Sequence, residues 1–234
     1  MKKNNFKPEK NKLFFNPKNF YLKVNNSSKL IPIGKVYCVG RNYPDHAHEM
    51  NEEVEKKEPF FFTKPPQSLT QKKVIEYPSN TCNLHHEIEL VIVIGSECAN
   101  ISSKDALGYI FGCAVGIDLT KRDIQKIAKE NRKPWDLSKG FDNSAPISLI
   151  NRDILDYEKL QLSLSVNQEI KQSGSTSSMI WNVRELISYL SNQITLYPGD
   201  LIFTGTPSGV GPINKGDKIF ASIKDVGSID IKFR

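Results

Sequence analysis

The sequence predicts an α+β fold that is mostly β, built as one domain with a few short helices. Short apolar or alternating runs bounded by Gly, Pro, Asn and Ser recur along it, and roughly ten of them read as strands. Only one stretch, with Val183, Leu186, Ile187 and Leu190 in helical spacing, is a clear amphipathic helix. At 234 residues, with no internal repeat, the chain has the size for one sizeable core.

Residues 1–33 are rich in Lys and Asn and broken by Pro8, Pro17 and Pro32, which predicts a basic extended arm with one short strand near 20–24. The domain proper is expected over 34–234. The run 35–40 reads as its first strand, and Pro44 opens a short helix, where proline fits the first turn. His46 and Glu49 stand three apart on that helix and share a face. Such a pair is either a general base whose tautomer a carboxylate fixes, or an ordinary exposed pair on a polar helix. The charged run 51–58 is expected to be a mobile surface segment and a candidate lid, and 59–65 reads as an aromatic strand ending in Lys64.

The run 85–95, HHEIELVIVIG, reads as a buried strand. Alternation puts Glu87, Glu89, Val91 and Val93 on one face and His86, Ile88, Leu90, Ile92 and Ile94 on the other. Two carboxylates at the mouth of a buried strand repel each other and resist desolvation, so something cationic belongs between them. Mg²⁺ or Mn²⁺ suits oxygen ligands and keeps positions for a substrate. Lys or Arg partners, or a solvated strand end, would satisfy the same two residues.

Ser102 or Ser103 can cap a short helix through Leu107, ahead of a second apolar strand at 109–117 that delivers Asp118 at its end. Arg122, Asp123 and Gln125 follow on a short helix reaching Glu130, and the four-residue spacing also allows Asp118 and Arg122 a plain helical ion pair. A polar loop at 139–144, opened by Lys139, leads to a strand at 146–150. Strict alternation of Leu160, Leu162, Leu164 and Val166 predicts a half-buried antiparallel strand with a hairpin return after Asn167 and Gln168. Beyond the amphipathic helix come a strand at 201–204, a glycine-rich loop at 205–212 and two alternating strands. That loop lacks the ending and the following helix of a phosphate loop, which excludes a nucleotide site. Its backbone N–H groups and Thr206 can still bind a carboxylate.

The net charge of +6 comes with no nucleic-acid motif, so solubility or a basic cleft for a dicarboxylate accounts for it and no nucleic-acid partner is expected. No apolar run approaches a membrane span, and the basic start lacks the apolar centre of a secretory signal. Cys38, Cys82, Cys98 and Cys113 are far apart, and three lie in or beside apolar runs, as free thiols of a cytoplasmic protein do.

Seven ordered blocks then add up: GRNYPDHAHEM at 40–50, PFFFTKP at 59–65, HHEIELVIVIG at 85–95, GIDLTKRDIQ at 116–125, KGFDNSAP at 139–146, SGSTSSMIW at 173–181 and PGDLIFTGTPSGVGPI at 198–213. Together they resemble the fumarylacetoacetate hydrolase family, in particular its small single-domain acylpyruvases and oxaloacetate decarboxylases, across 36–233. The resemblance implies a mixed β-sandwich roll, assembled as a homodimer, with Mg²⁺ or Mn²⁺ held by Glu87, Glu89 and Asp118. It implies a small 2-oxo acid substrate, with His46, Glu49 and Lys139 catalytic and Arg122, Gln125 and Thr206 contacting the substrate.

On that reading the 2-oxo acid chelates the metal through its carboxylate and keto oxygen. The metal and Lys139 then stabilise the enolate that develops as the C3–C4 bond breaks. Hydrolysis of an acylpyruvate adds a water activated by His46 and Glu49. Decarboxylation of oxaloacetate, or keto–enol isomerisation, uses the same site without an attacking water.

Overall fold

The computed structural model describes residues 19–49, 56, 58–154 and 156–234. Two five-stranded sheets organise them. The first runs in the order Phe60–Lys64, Val36–Gly40, Leu201–Phe203, Ile88–Ile94, Ile110–Ile117. Its middle strand, Leu201–Phe203, lies parallel to Val36–Gly40 and antiparallel to Ile88–Ile94, so the sheet is mixed. The second sheet runs Glu169–Ser175, Gln161–Val166, Lys218–Ile223, Gly227–Phe233, Val74–Ile75. The α+β, mostly β architecture is the predicted one.

Every residue of Ile88–Ile94 is buried, and its two faces enter different cores. Ile88, Leu90, Ile92 and Ile94 pack in the main core with Leu162, Leu164, Ile219 and Ile231 of the second sheet and Leu186 of the long helix Val183–Gln193. Val91 and Val93 join a second core with Val36, Cys38, Leu201 and Phe203. A strand covered on both faces needs apolar residues at every position, hence the unbroken run. Each such Ile or Leu is worth about 1.5–3 kcal/mol of transfer free energy, which makes this sheet a rigid base for the residues at its ends. The long helix is fixed at its start by Asn182, which accepts the Glu185 N–H at 3.0 Å while Glu185 accepts the Asn182 N–H at 2.9 Å.

The structure changes three local expectations. The described part of the arm holds two strands, Tyr21–Lys23 and Leu30–Pro32, paired as an antiparallel hairpin. Leu22 and Val24 lie two apart and point the same way, into the second core, so this stretch packs on the domain. The run 85–95 is two strands, because Leu84–His86 belongs to a separate small sheet between Thr120–Lys121 and Gly211–Ile213. Glu87 stands at the joint where the chain passes from one sheet to the other. The helix expected to end at Leu107 is a single 3₁₀ turn, Ala106–Tyr109. Most of the candidate lid at 51–58 lies outside the described residues, as does the arm before residue 19. No helix among the described residues is long and apolar enough to cross a membrane.

Candidate active site

Strand ends bring three carboxylates together. Glu87 sits at the joint, Glu89 is the second residue of Ile88–Ile94, and Asp118 directly follows the neighbouring strand, whose Ile117 pairs with Ile88. One oxygen from each lies within 4.8 Å of the others, and all three side chains are buried. This donor set is oxygen only, the kind that hard divalent cations take. Asp118 Oδ1 is buried with no hydrogen bond, although Lys64 Nζ stands 2.7 Å away. A buried carboxylate oxygen held by an ion pair but by no hydrogen bond can still take a cation, so Glu87, Glu89 and Asp118 could bind a divalent metal.

Cations from three other elements surround them. Lys139, ending the short helix Asp136–Lys139, donates to Glu87 Oε2 at 2.8 Å and to Asp118 Oδ2 at 2.6 Å. Arg122, opening the helix Arg122–Glu130, donates to Glu87 Oε1 and to Gln125 Oε1, the latter at 2.7 Å. The plain Asp118–Arg122 pair allowed by spacing therefore does not form: Asp118 lies before that helix and faces the lysines.

Burial alone would raise the Glu87 carboxyl, but the Lys139 ammonium and the Arg122 guanidinium overcome it and hold Glu87 well below the usual range. Glu89 goes the other way. Burial, then the charges of Asp118 and Glu87, push it well above an ordinary carboxyl, against the Gly205 N–H that donates to its Oε2 at 2.7 Å. Burial works against the Lys139 charge too, yet Asp118 and Glu87 keep its pKa raised, so the amine stays protonated.

His46 and Glu49 meet as their spacing allows, on the helix Pro44–Glu49, with His46 Nδ1 3.1 Å from Glu49 Oε2. His46 is buried and lines one cavity with the three carboxylates, Lys139, Arg122, Gln125 and Thr206. Glu49 also accepts the Gly209 N–H at 3.2 Å, which ties the helix to the glycine-rich loop. Gly205 starts that loop at φ +93°, and a Cβ there would lie 2.7 Å from Asn42 Cβ, so only glycine lets its N–H reach Glu89 without strain. Each of the nine residues singled out in the sequence is thus at this site.

Three residues were missed. Lys64 is fully buried at the end of its aromatic strand, and its amine gathers the carbonyls of Leu119, Lys139 and Ser144 beside Asp118. A lysine closing an apolar strand was the available signal. Asn42 fixes the strand end by donating to Trp181 O at 2.9 Å and Thr204 O at 2.8 Å. Gln172 donates to Thr206 Oγ1 at 2.8 Å from the far sheet. Lys64→Met is expected to lower unfolding free energy by about 3–5 kcal/mol in a urea titration, since it strands Asp118 Oδ1 and three carbonyls without the ammonium that serves them. An unchanged midpoint would show that those groups are satisfied without the lysine.

Comparison with known proteins places the arrangement. The family described as fumarylacetoacetate (FAA) hydrolase C-terminal matches residues 35–234. The mitochondrial oxaloacetate decarboxylase of Dictyostelium discoideum is 45% identical over 203 residues, 85% of this chain and 92% of that protein. The human mitochondrial oxaloacetate tautomerase FAHD1 is 44% identical over 200 residues, 84% and 90% of the two chains. Among solved structures, fumarylpyruvate hydrolase from Pseudomonas aeruginosa, in complex with Mn²⁺ and pyruvate, superposes with a TM-score of 0.92 at 38% identity, covering 94% of this chain and 98% of that one.

Proposed function

The chain belongs to the fumarylacetoacetate hydrolase family, and from that premise we propose an enzyme that cleaves the C3–C4 bond of acylpyruvate-type 2-oxo acids with a divalent metal, releasing pyruvate and a carboxylic acid. The observation that carries this is the meeting of His46, held by Glu49, with the carboxylate trio and Lys139 in one cavity. Glu87, Glu89 and Asp118 would hold the metal, Mg²⁺ or Mn²⁺, which when bound polarises the carboxylate and keto oxygens of a 2-oxo acid.

The chain's own groups supply the rest. His46 takes a proton from the water that attacks the C4 carbonyl, and Glu49 fixes the imidazole tautomer and stabilises the imidazolium. The C3–C4 electron pair stays on the pyruvate fragment, which regains a proton from His46 as the acid leaves. Lys139 carries a permanent positive charge beside the developing enolate. Arg122, oriented by Gln125, and Thr206 bind the substrate's oxygens.

Charge narrows the substrate. Lys64, Lys139 and Arg122 stand against Glu87 and Asp118, with Glu89 beside them; once a divalent cation ionises all three carboxylates, this set of six side chains plus metal carries two net positive charges. A dianionic 2-oxo acid restores balance better than a monoanion. Phe62, Trp135 and Arg41 are shared with an open groove floored by Phe60 and Phe61, where the acyl part extends.

A second reading, oxaloacetate decarboxylase or tautomerase on the same site, is favoured by the higher identity of the relatives so named. Metal-stripped protein reloaded with Mg²⁺ or Mn²⁺ separates the two when pyruvate release from acetylpyruvate, fumarylpyruvate and oxaloacetate is followed side by side. Turnover favouring the acylpyruvates supports the hydrolase, and turnover or enol–keto exchange confined to oxaloacetate replaces it with the second reading. Lys139→Met is expected to weaken pyruvate inhibition roughly 10- to 100-fold, the worth of a charge-assisted hydrogen bond, and unaltered inhibition would place that lysine outside the site. We further propose a homodimer in the cytoplasm, in keeping with the free thiols of Cys38, Cys82, Cys98 and Cys113. Light scattering tests the dimer.

A further inference from the structure

Thr206 lines the catalytic cavity, and among the described residues its hydroxyl has one partner, Gln172 Nε2. The direction of that bond is set by backbone groups that have no choice of role. Gln172 Oε1 faces the Ile88 N–H at 3.1 Å, which can only donate, and Nε2 faces the Pro207 carbonyl at 2.9 Å, which can only accept. Turning the amide over would break both bonds. Nε2 therefore donates to Thr206 Oγ1, and the hydroxyl keeps its own proton to give.

We propose that Gln172 is a positioning residue that commits the Thr206 hydroxyl to donate to a carboxylate oxygen of the bound 2-oxo acid. The inference rests on the 2-oxo acid reading above. The same amide oxygen also accepts from His86 Nδ1 at 2.9 Å, so the residues on both sides of Glu87 hang on it. One buried side chain thus sets the spacing between a carboxylate of the trio and the hydroxyl across the cavity.

A bulge delivers Gln172 to this place. Its strand, Glu169–Ser175, is an edge of the second sheet, where Gln172 pairs with Leu164 and Ile170 with Ser165, leaving Lys171 as an extra residue. In a regular strand residues 170 and 172 would share a face. Here Ile170 is 67% exposed while Gln172 is 0% exposed. The carbonyl of the bulged Lys171 seats the glycine-rich loop, since a Cβ on Gly209 would lie 2.0 Å from that oxygen. Bulge, amide and loop are one assembly whose polar output is the Thr206 proton.

The test is a double-mutant cycle read through pyruvate inhibition of the metal-loaded enzyme. Gln172→Glu keeps the shape and the acceptor for Ile88 but presents Thr206 with an acceptor, and is expected to raise the pyruvate Ki and the substrate KM at least tenfold with a smaller change in kcat. Thr206→Val should match it, Thr206→Ser should stay near wild type, and the double variant Gln172→Glu, Thr206→Val should be no worse than either single one. Additive losses, or a folded Gln172→Glu with wild-type Ki, would overturn the proposal. Should Gln172→Glu not fold, Thr206→Val decides: an unchanged Ki removes the donor role. Wild-type enzyme that neither binds pyruvate nor turns over any 2-oxo acid would instead remove the functional reading itself.

Discussion

Glu89→Gln is expected to abolish turnover and, at the same time, to raise the melting temperature of the metal-free protein. The two effects share a cause. Glu89 is buried between Asp118 and Glu87, and burial and those charges raise its pKa well above the ordinary carboxyl value. Its folded pKa thus exceeds the unfolded one, so stability falls as pH rises from the unfolded carboxyl range towards the raised value, and at neutral pH an ionised Glu89 is a cost. Glutamine has the same shape, can still accept the Gly205 N–H and carries no charge. A gain of about 1–3 kcal/mol corresponds to roughly 3–10 °C for a domain of this size. Adding Mg²⁺ or Mn²⁺ should raise the wild-type melting temperature and leave the variant's unchanged. Full activity in the variant would sink the ligand assignment, and a lower metal-free melting temperature would mean its neighbours already balance Glu89.

His46→Ala should separate the two chemistries that the site can run. Removing a general base costs typically 10²–10⁴-fold, and that loss should fall on acylpyruvate hydrolysis, which needs a deprotonated water. Decarboxylation of oxaloacetate breaks its bond without one and should fall by tenfold or less. Glu49→Gln should give an intermediate loss, because the imidazole keeps its place while losing the carboxylate that steadies its charged form. Stopped-flow measurement of pyruvate release on both substrates reads the difference. Equal losses would recast His46 as a proton carrier between carbon and oxygen, the role a tautomerase requires.

The sequence spoke most clearly where a single periodicity decided the outcome. Alternation alone sent Val91 and Val93 to the core opposite that of Ile88, Leu90, Ile92 and Ile94, with Glu89 in step with them, and the spacing of His46 and Glu49 alone let them touch. What it hid depended on breaks in periodicity. Nothing in HHEIEL marks the change of sheet at Glu87, because pairing partners 35 to 129 residues away impose it. Gln172 was invisible for the same reason: the bulge at Lys171 reverses the face that strand spacing assigns it. Arg122 showed a third kind of limit, since Asp118 is already taken by two lysines from other elements, Lys64 at a strand end and Lys139 at a helix end, which leaves Arg122 to Glu87.

The strand order of the first sheet bears on how the chain is made. Leu201–Phe203 lies between Val36–Gly40 and Ile88–Ile94, so those two early strands are not neighbours: each has an early partner of its own, Phe60–Lys64 and Ile110–Ile117, but the two pairs cannot be joined into one sheet until a late strand arrives. A ribosome that has released the first hundred residues has exposed two of the most apolar strands and both glutamates, with no means of joining them. Assembly of the site must wait for nearly the whole chain, which makes folding non-local, slow and dependent on protection of those strands meanwhile. Truncation before residue 201 should therefore yield an aggregating fragment, while loss of the first eighteen residues leaves every strand of that sheet in place.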